Sequence, residues 1–237
     1  MNNSTRRSFV KALSMAALAA PLVTPQNASA QSTTIPDAFA SNLDLKPLPF
    51  DAGSLDGFSE RIITSHWQNN YVGSVRALNA VKQRLQAALS DDTLPAYVYN
   101  DLKREHLMRT GSVVLHEYYF DNLAPPSARD SELEQALARA FGSVANWEKE
   151  FRRIGAGLGG GSGWVMLAWN RHSQTLENYW MWDHMHAPAA SEPLLVMDMY
   201  EHSYHMDYGA ATGQYIDAFM RNLNWQVVAA RLDAAMA

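Results

Sequence analysis

The sequence predicts an α+β chain, with an N-terminal antiparallel α-helical hairpin over 57–124 and a C-terminal α/β domain over 125–237 holding a small three-stranded antiparallel sheet. Three observations predict it. From Gly57 to about Ser90, Ile62, Ile63, Trp67, Val72, Val75, Leu78, Val81 and Leu85 recur at helical intervals, and a second helical segment runs on to near Asn122. Ala124-Pro125-Pro126 then interrupts the pattern as a domain boundary. Beyond it, the runs Trp164–Trp169, Leu176–Trp182 and Leu194–Met197 are spaced like neighbouring strands.

In chain order, residues 1–30 stand apart from the fold. Arg6-Arg7, an apolar stretch from Ala12 to Val23 and the small-x-small run Ala28-Ser29-Ala30 have the order of an export signal. The paired arginines with Phe9 and Lys11 resemble a twin-arginine signal, which implies a periplasmic protein. Residues 31–56, with Pro36, Pro47 and Pro49, read as an extended lead-in. Asp91-Asp92 and Pro95 separate the two arms of the hairpin, and the second arm is expected to break near Gly111. Ser131-x-x-Glu134 has the form of a capping box opening a helix to about Phe141, and Gly142-Ser143 restarts one to about Ile154.

The run Gly155–Gly163 lacks the Lys-Ser/Thr of a phosphate loop and leads into a strand, which suits close backbone packing better than nucleotide binding. Helices near Gly213–Leu223 and Trp225–Ala235 close the chain.

Composition narrows the chemistry. With 47% hydrophobic residues the chain can bury a sizeable core, and with no cysteine it has no disulfide, thiolate ligand or Cys nucleophile. A metal site must therefore use His, Asp and Glu. The net charge of −5 becomes −8 once residues 1–30, which carry three cations and no acid, are removed. That balance argues against nucleic acid and anionic membrane as partners.

The most informative stretch is Pro193–Tyr208, PLLVMDMYEHSYHMDY. A buried strand delivers Asp198 to its end, and a helical turn after it would bring His202 to the same point. The pair is half of a transition-metal site or, with equal standing from spacing alone, an N-capping Asp beside a packed His. His66 and His116 lie on the two arms of the hairpin among apolar and aromatic neighbours, as further ligands or as core histidines.

These motifs together resemble the iron/manganese superoxide dismutases. The stretch Asp198–Tyr208 resembles that family's C-terminal signature, GGSGWVML its Gly-Ser-Gly-Trp strand entry, and HEYYFDNLAP its second-ligand segment. Gly57-Phe58-Ser59 stands nine residues before His66, as in the family's first helix, and the likeness spans roughly Leu48 to Asn224. The resemblance implies a superoxide dismutase that cycles one mononuclear iron (Fe) or manganese (Mn) ion per chain, with superoxide as substrate and a homodimer as the assembly.

Carried over residue by residue, it makes His66, His116, Asp198 and His202 the ligands, Glu201 an interface residue, and Trp164, Tyr200 and His205 the supporting shell. The alternative it leaves is a non-catalytic Fe/Mn-binding relative. A di-iron carboxylate bundle would need paired Glu-x-x-His motifs instead.

Departures from the family pattern set further expectations. The family places its gateway Tyr eight residues after the first ligand. Tyr71 stands only five after His66, so a deleted segment and a local helix distortion are implied if Tyr71 fills that role. The Gln expected four residues before the second ligand is Ser112, and the other outer-shell Gln is replaced by His184 or, two residues on, by His186. With both Gln markers gone, iron and manganese stay open, iron slightly ahead. Steering of superoxide to so acidic a chain needs a local basic patch, for which Arg76 and Arg109 are candidates.

Overall fold

A computed structural model describes residues 35–237; the export signal expected over 1–30 lies outside the described residues. The first arm comprises α1 (Glu60–Ser65), a π-helical turn (His66–Tyr71) and α2 (Val72–Leu89), running as one rod. Ser59 caps α1 by accepting from the Ile62 N–H. Ile62, Ile63, Val72, Val75, Leu78, Val81 and Leu85 bury one side of the rod. Pro95 ends the connection, and α3 (Ala96–Asp121) returns antiparallel against α2.

The expected break at Gly111 does not occur, because α3 is helical throughout. One glycine in a long, packed helix costs only about 1 kcal/mol, too little to end it. Gly111 instead answers a packing demand. A Cβ there would lie 1.7 Å from the backbone oxygen of His184, so only glycine lets that loop close on the helix.

The C-terminal part has α4 (Ser131–Phe141) and α5 (Val144–Leu158), then β1 (Trp164–Asn170), β2 (Thr175–Met181) and β3 (Ser191–Asp198). The sheet is antiparallel in the order β2-β1-β3. The cap of α4 is Asp130, not Ser131: its carboxylate accepts from the N–H groups of Glu132 and Leu133 at 2.9 and 3.0 Å. A charged cap at a helix N-terminus gains from the macrodipole as well as from the hydrogen bonds. A 3₁₀ turn (Glu201–Ser203), α6 (His205–Tyr208), α7 (Thr212–Arg221) and α8 (Trp225–Met236) complete the chain. Among the described residues no helix is long and apolar enough to cross a membrane.

The two halves are stitched together by polar groups, one of them the buried Asn122. Asn122, at the end of α3, accepts from the Val196 N–H and donates to the Leu194 carbonyl, which fixes α3 against β3. Asp207 accepts from both the N–H and the hydroxyl of Ser59, and the Tyr208 hydroxyl donates to the Gly57 carbonyl. The last residues of the Asp198–Tyr208 stretch thus hold the start of the hairpin in place.

Candidate metal centre

Four side chains from four elements converge where the hairpin meets the sheet. His66 opens the π turn, His116 lies on α3, Asp198 ends β3 and His202 sits in the 3₁₀ turn. Each offers one ligand atom, and these atoms all lie within 4.8 Å of one another. His66 and His116 are 1% exposed and Asp198 is fully buried.

The backbone aims Asp198. Its register partner on β1 is Trp164, and its carbonyl accepts from the Tyr215 hydroxyl at 2.5 Å and the Ser203 hydroxyl at 2.9 Å. Oδ1 accepts from the Tyr200 N–H at 2.8 Å, holding the turn. Oδ2 is then presented to the three imidazoles, with Nε2 of His202, His66 and His116 at 3.0, 3.1 and 3.7 Å. Asp198 does not cap the 3₁₀ turn, whose N-cap is Tyr200: one carboxylate oxygen holds the local turn and the other faces the imidazoles.

The imidazoles are prepared in the same way. His116 donates from Nδ1 to the Ser112 carbonyl at 2.6 Å, which fixes the tautomer and leaves Nε2 as a lone-pair donor. Burial lowers the pKa of His66 against the pull of Asp198, and burial together with neighbouring His66 lowers that of His116 further. For Asp198 burial pushes upward, but His202 and His66 outweigh it and hold the carboxyl well below the usual range. Neutral imidazoles around one carboxylate are the protonation state that a cation requires.

The chemistry of the donor set fits a metal. Nε2 of both His66 and His116 is buried without a hydrogen-bond partner, although His66 Nε2 lies 3.1 Å from the Asp198 carboxylate. Two such orphaned atoms on one carboxylate are costly unless a cation lies between them. Three imidazoles and a carboxylate suit iron or manganese.

A polar cavity of about 350 Å³ opens onto His116 and His202, walled by Asn69, Asn70, Gly73, Ser74, Ala77, Arg109, Ser112 and His184. His184 accepts from the Trp164 indole N–H at 3.0 Å and stacks on Tyr200, with ring centroids 4.7 Å apart and planes 7° from parallel. That bond occupies Nδ1 and makes Nε2 the protonated nitrogen of the neutral ring. His186 instead pairs with Asp183 at the surface, so of the two candidates His184 is the one at the cavity. Trp164 packs against His116 and Tyr200 against His202, with ring centroids 5.2 and 5.3 Å apart.

Two expected placements differ. Tyr71 does not line the cavity: its hydroxyl accepts from the Lys46 N–H at 2.9 Å and donates to Glu117 at 3.0 Å, and burial pushes its pKa up to about 12. The helix distortion exists, but it serves another residue. Eight residues on an ideal helix would leave Ser74 about 80° around the axis from His66. The π turn absorbs about one residue of phase and returns Ser74 to the ligand face.

The position eight after His66 is Ser74, whose hydroxyl bonds that of Ser112 at 2.8 Å. The eight-residue spacing was the signal that could have found it. The second difference is His205, which is exposed at the start of α6 and has no place in the supporting shell. Glu201 is exposed on this chain beside His202.

Comparison with known proteins agrees with this geometry. Residues 129–231 match the family described as iron/manganese superoxide dismutases, C-terminal domain. A Cupriavidus metallidurans protein named superoxide dismutase [Fe] is 48% identical over 193 residues, covering 81% of this chain and 98% of that protein. Haloferax volcanii superoxide dismutase [Mn] 1 is 30% identical, over 83% of this chain and 98% of that protein. Aquifex aeolicus superoxide dismutase [Fe] is also 30% identical, over 77% and 88%.

Proposed function

The chain belongs to the iron/manganese superoxide dismutase family, and we propose that it is an exported, iron-dependent member that works as a homodimer. The observation that carries the enzymatic reading is the meeting of His66, His116, Asp198 and His202, two of them with orphaned buried nitrogens, at the floor of a polar cavity.

These four residues would hold an iron or manganese ion, which would supply the one-electron couple for oxidising one superoxide to dioxygen and reducing a second, with two protons, to hydrogen peroxide. The protein's own share lies in geometry and protons. Each pair of superoxide anions consumes two protons, and Ser74, Ser112 and His184 are among the hydrogen-bonding groups that line the way in. Asp198 contributes one fixed negative charge, and Trp164 and Tyr200 hold His184 in its orientation. Tyr119, Phe120 and Trp164 close the apolar sides of the centre.

Iron is supported by the 48% identity to a relative named for iron, against 30% to one named for manganese. Export to the periplasm is supported by the paired arginines and small-x-small run within residues 1–30, and a homodimer by exposed Glu201 next to a ligand. Elemental analysis of the exported protein, followed by assays after reconstitution with each metal, tests the reading. Stoichiometric iron and superoxide-consuming activity are expected. Full metal occupancy without activity would contradict the enzyme, and activity with manganese alone would contradict iron.

A further inference from the structure

The geometry points to Arg109 as the positioning residue that draws superoxide into the cavity and toward the metal centre, an inference that rests on the dismutase reading. The chain carries a net charge of −5, so an anionic substrate meets a repelling molecule. Something local must reverse that field at the entrance. Among the described residues that wall the cavity, Arg109 is the one with a permanent charge.

Its placement follows from helix geometry. Arg109, Ser112 and His116 are spaced three and four residues apart on α3 and therefore share one face. Arg109 stands two turns before His116, about 10 Å along the axis. That face runs from a cation at the mouth, past a hydroxyl, to a ligand at the floor.

The guanidinium is held in position. Its Nε donates to Glu105 at 2.6 Å, one turn back on the same helix. This contact uses a single donor of the five, and the side chain is 34% exposed. Asn69 and Asn70 of the opposite wall add neutral amide donors nearby. Glu105 weakens the cation's field even as it orients it, which makes the pair testable from both sides. At a separation of about 10 Å the attraction is strong in dilute buffer, where the Debye length is about 30 Å, and is screened at 1 M salt, where it is about 3 Å.

The test compares Arg109→Gln, Arg109→Lys and Glu105→Gln proteins, each loaded with iron, across ionic strength. The bimolecular rate with superoxide should fall about threefold in Arg109→Gln at low salt and converge on the parent at high salt. Arg109→Lys should retain most of the rate, and Glu105→Gln should raise it. Azide binding at the metal, followed by absorbance, should weaken by a similar factor in Arg109→Gln, with metal content unchanged. That titration reports on Arg109 even if dismutation is absent, so the two readings fail separately. If Arg109→Gln does not fold, Glu105→Gln still decides. An unchanged salt dependence and azide affinity in Arg109→Gln, or a slower rate in Glu105→Gln, would overturn the assignment.

Discussion

The floor of the cavity and its wall are built on different terms. On the floor, Asp198 is held by three hydrogen bonds to its backbone and one oxygen, His116 is held by the Ser112 carbonyl, and both are buried with His66. The wall is made of small or flexible groups, Gly73, Ser74, Ala77, Ser112, Asn69 and Asn70, with Arg109 at its rim. A displaced ligand would leave unpaired polar atoms in a dry core, so the floor tolerates little change. The wall borders a polar cavity, where water replaces a lost partner. The difference explains how four closely held side chains sit beneath a cavity walled by two serines and a histidine.

That contrast can be attacked at its joint. Gly111→Ala pushes a methyl into the His184 backbone, and should cost about 1–3 kcal/mol by overpacking. Calorimetry should show the lost stability, and activity should fall while metal content holds.

Acid should act on the floor next. His66 and His116 have folded pKa values below 6.5. Between those values and 6.5 the unfolded chain binds more protons, so stability rises with pH across the window and is lost as pH falls through it. The shift of Asp198 adds in the same direction, but only below 3.8. The metal-free protein should melt earlier at about pH 5.5 than at about pH 7.5, and metal should leave faster at the lower pH.

Changes to the wall should be milder. Ser112→Ala removes the bond to Ser74 and should cost about 1 kcal/mol with iron retained, read by denaturant titration and elemental analysis. Tyr71→Phe should have the smallest effect on turnover, within about twofold, since its hydroxyl serves Lys46 and Glu117 away from the cavity. A large loss of turnover in Tyr71→Phe would return Tyr71 to the gateway.

The sequence made the floor legible because His66, His116, Asp198 and His202 stand in ordered motifs. Pro193–Tyr208 carried its information in local spacing, and the three strands were within a residue or two of their ends except at the start of β3. The wall was harder to read, for physical reasons. Ser74 reaches the cavity only through the phase slip of a π turn, which no apolar period announces. Gly111 looks like a breaker until a loop more than seventy residues away is seen to need its missing Cβ. His205 matched a motif position but lands on an exposed helix start, which motif order alone does not reveal.

One centre is assembled from both halves of the chain, and the metal content of a His116→Ala protein tests this most directly. His116 lies on the hairpin, far in sequence from Asp198 and His202, and its Nε2 has no other partner. Removing it should reduce bound iron or manganese to below about a tenth of the parent's, with activity lost and helical circular dichroism retained. Full metal occupancy in that folded variant would contradict the account.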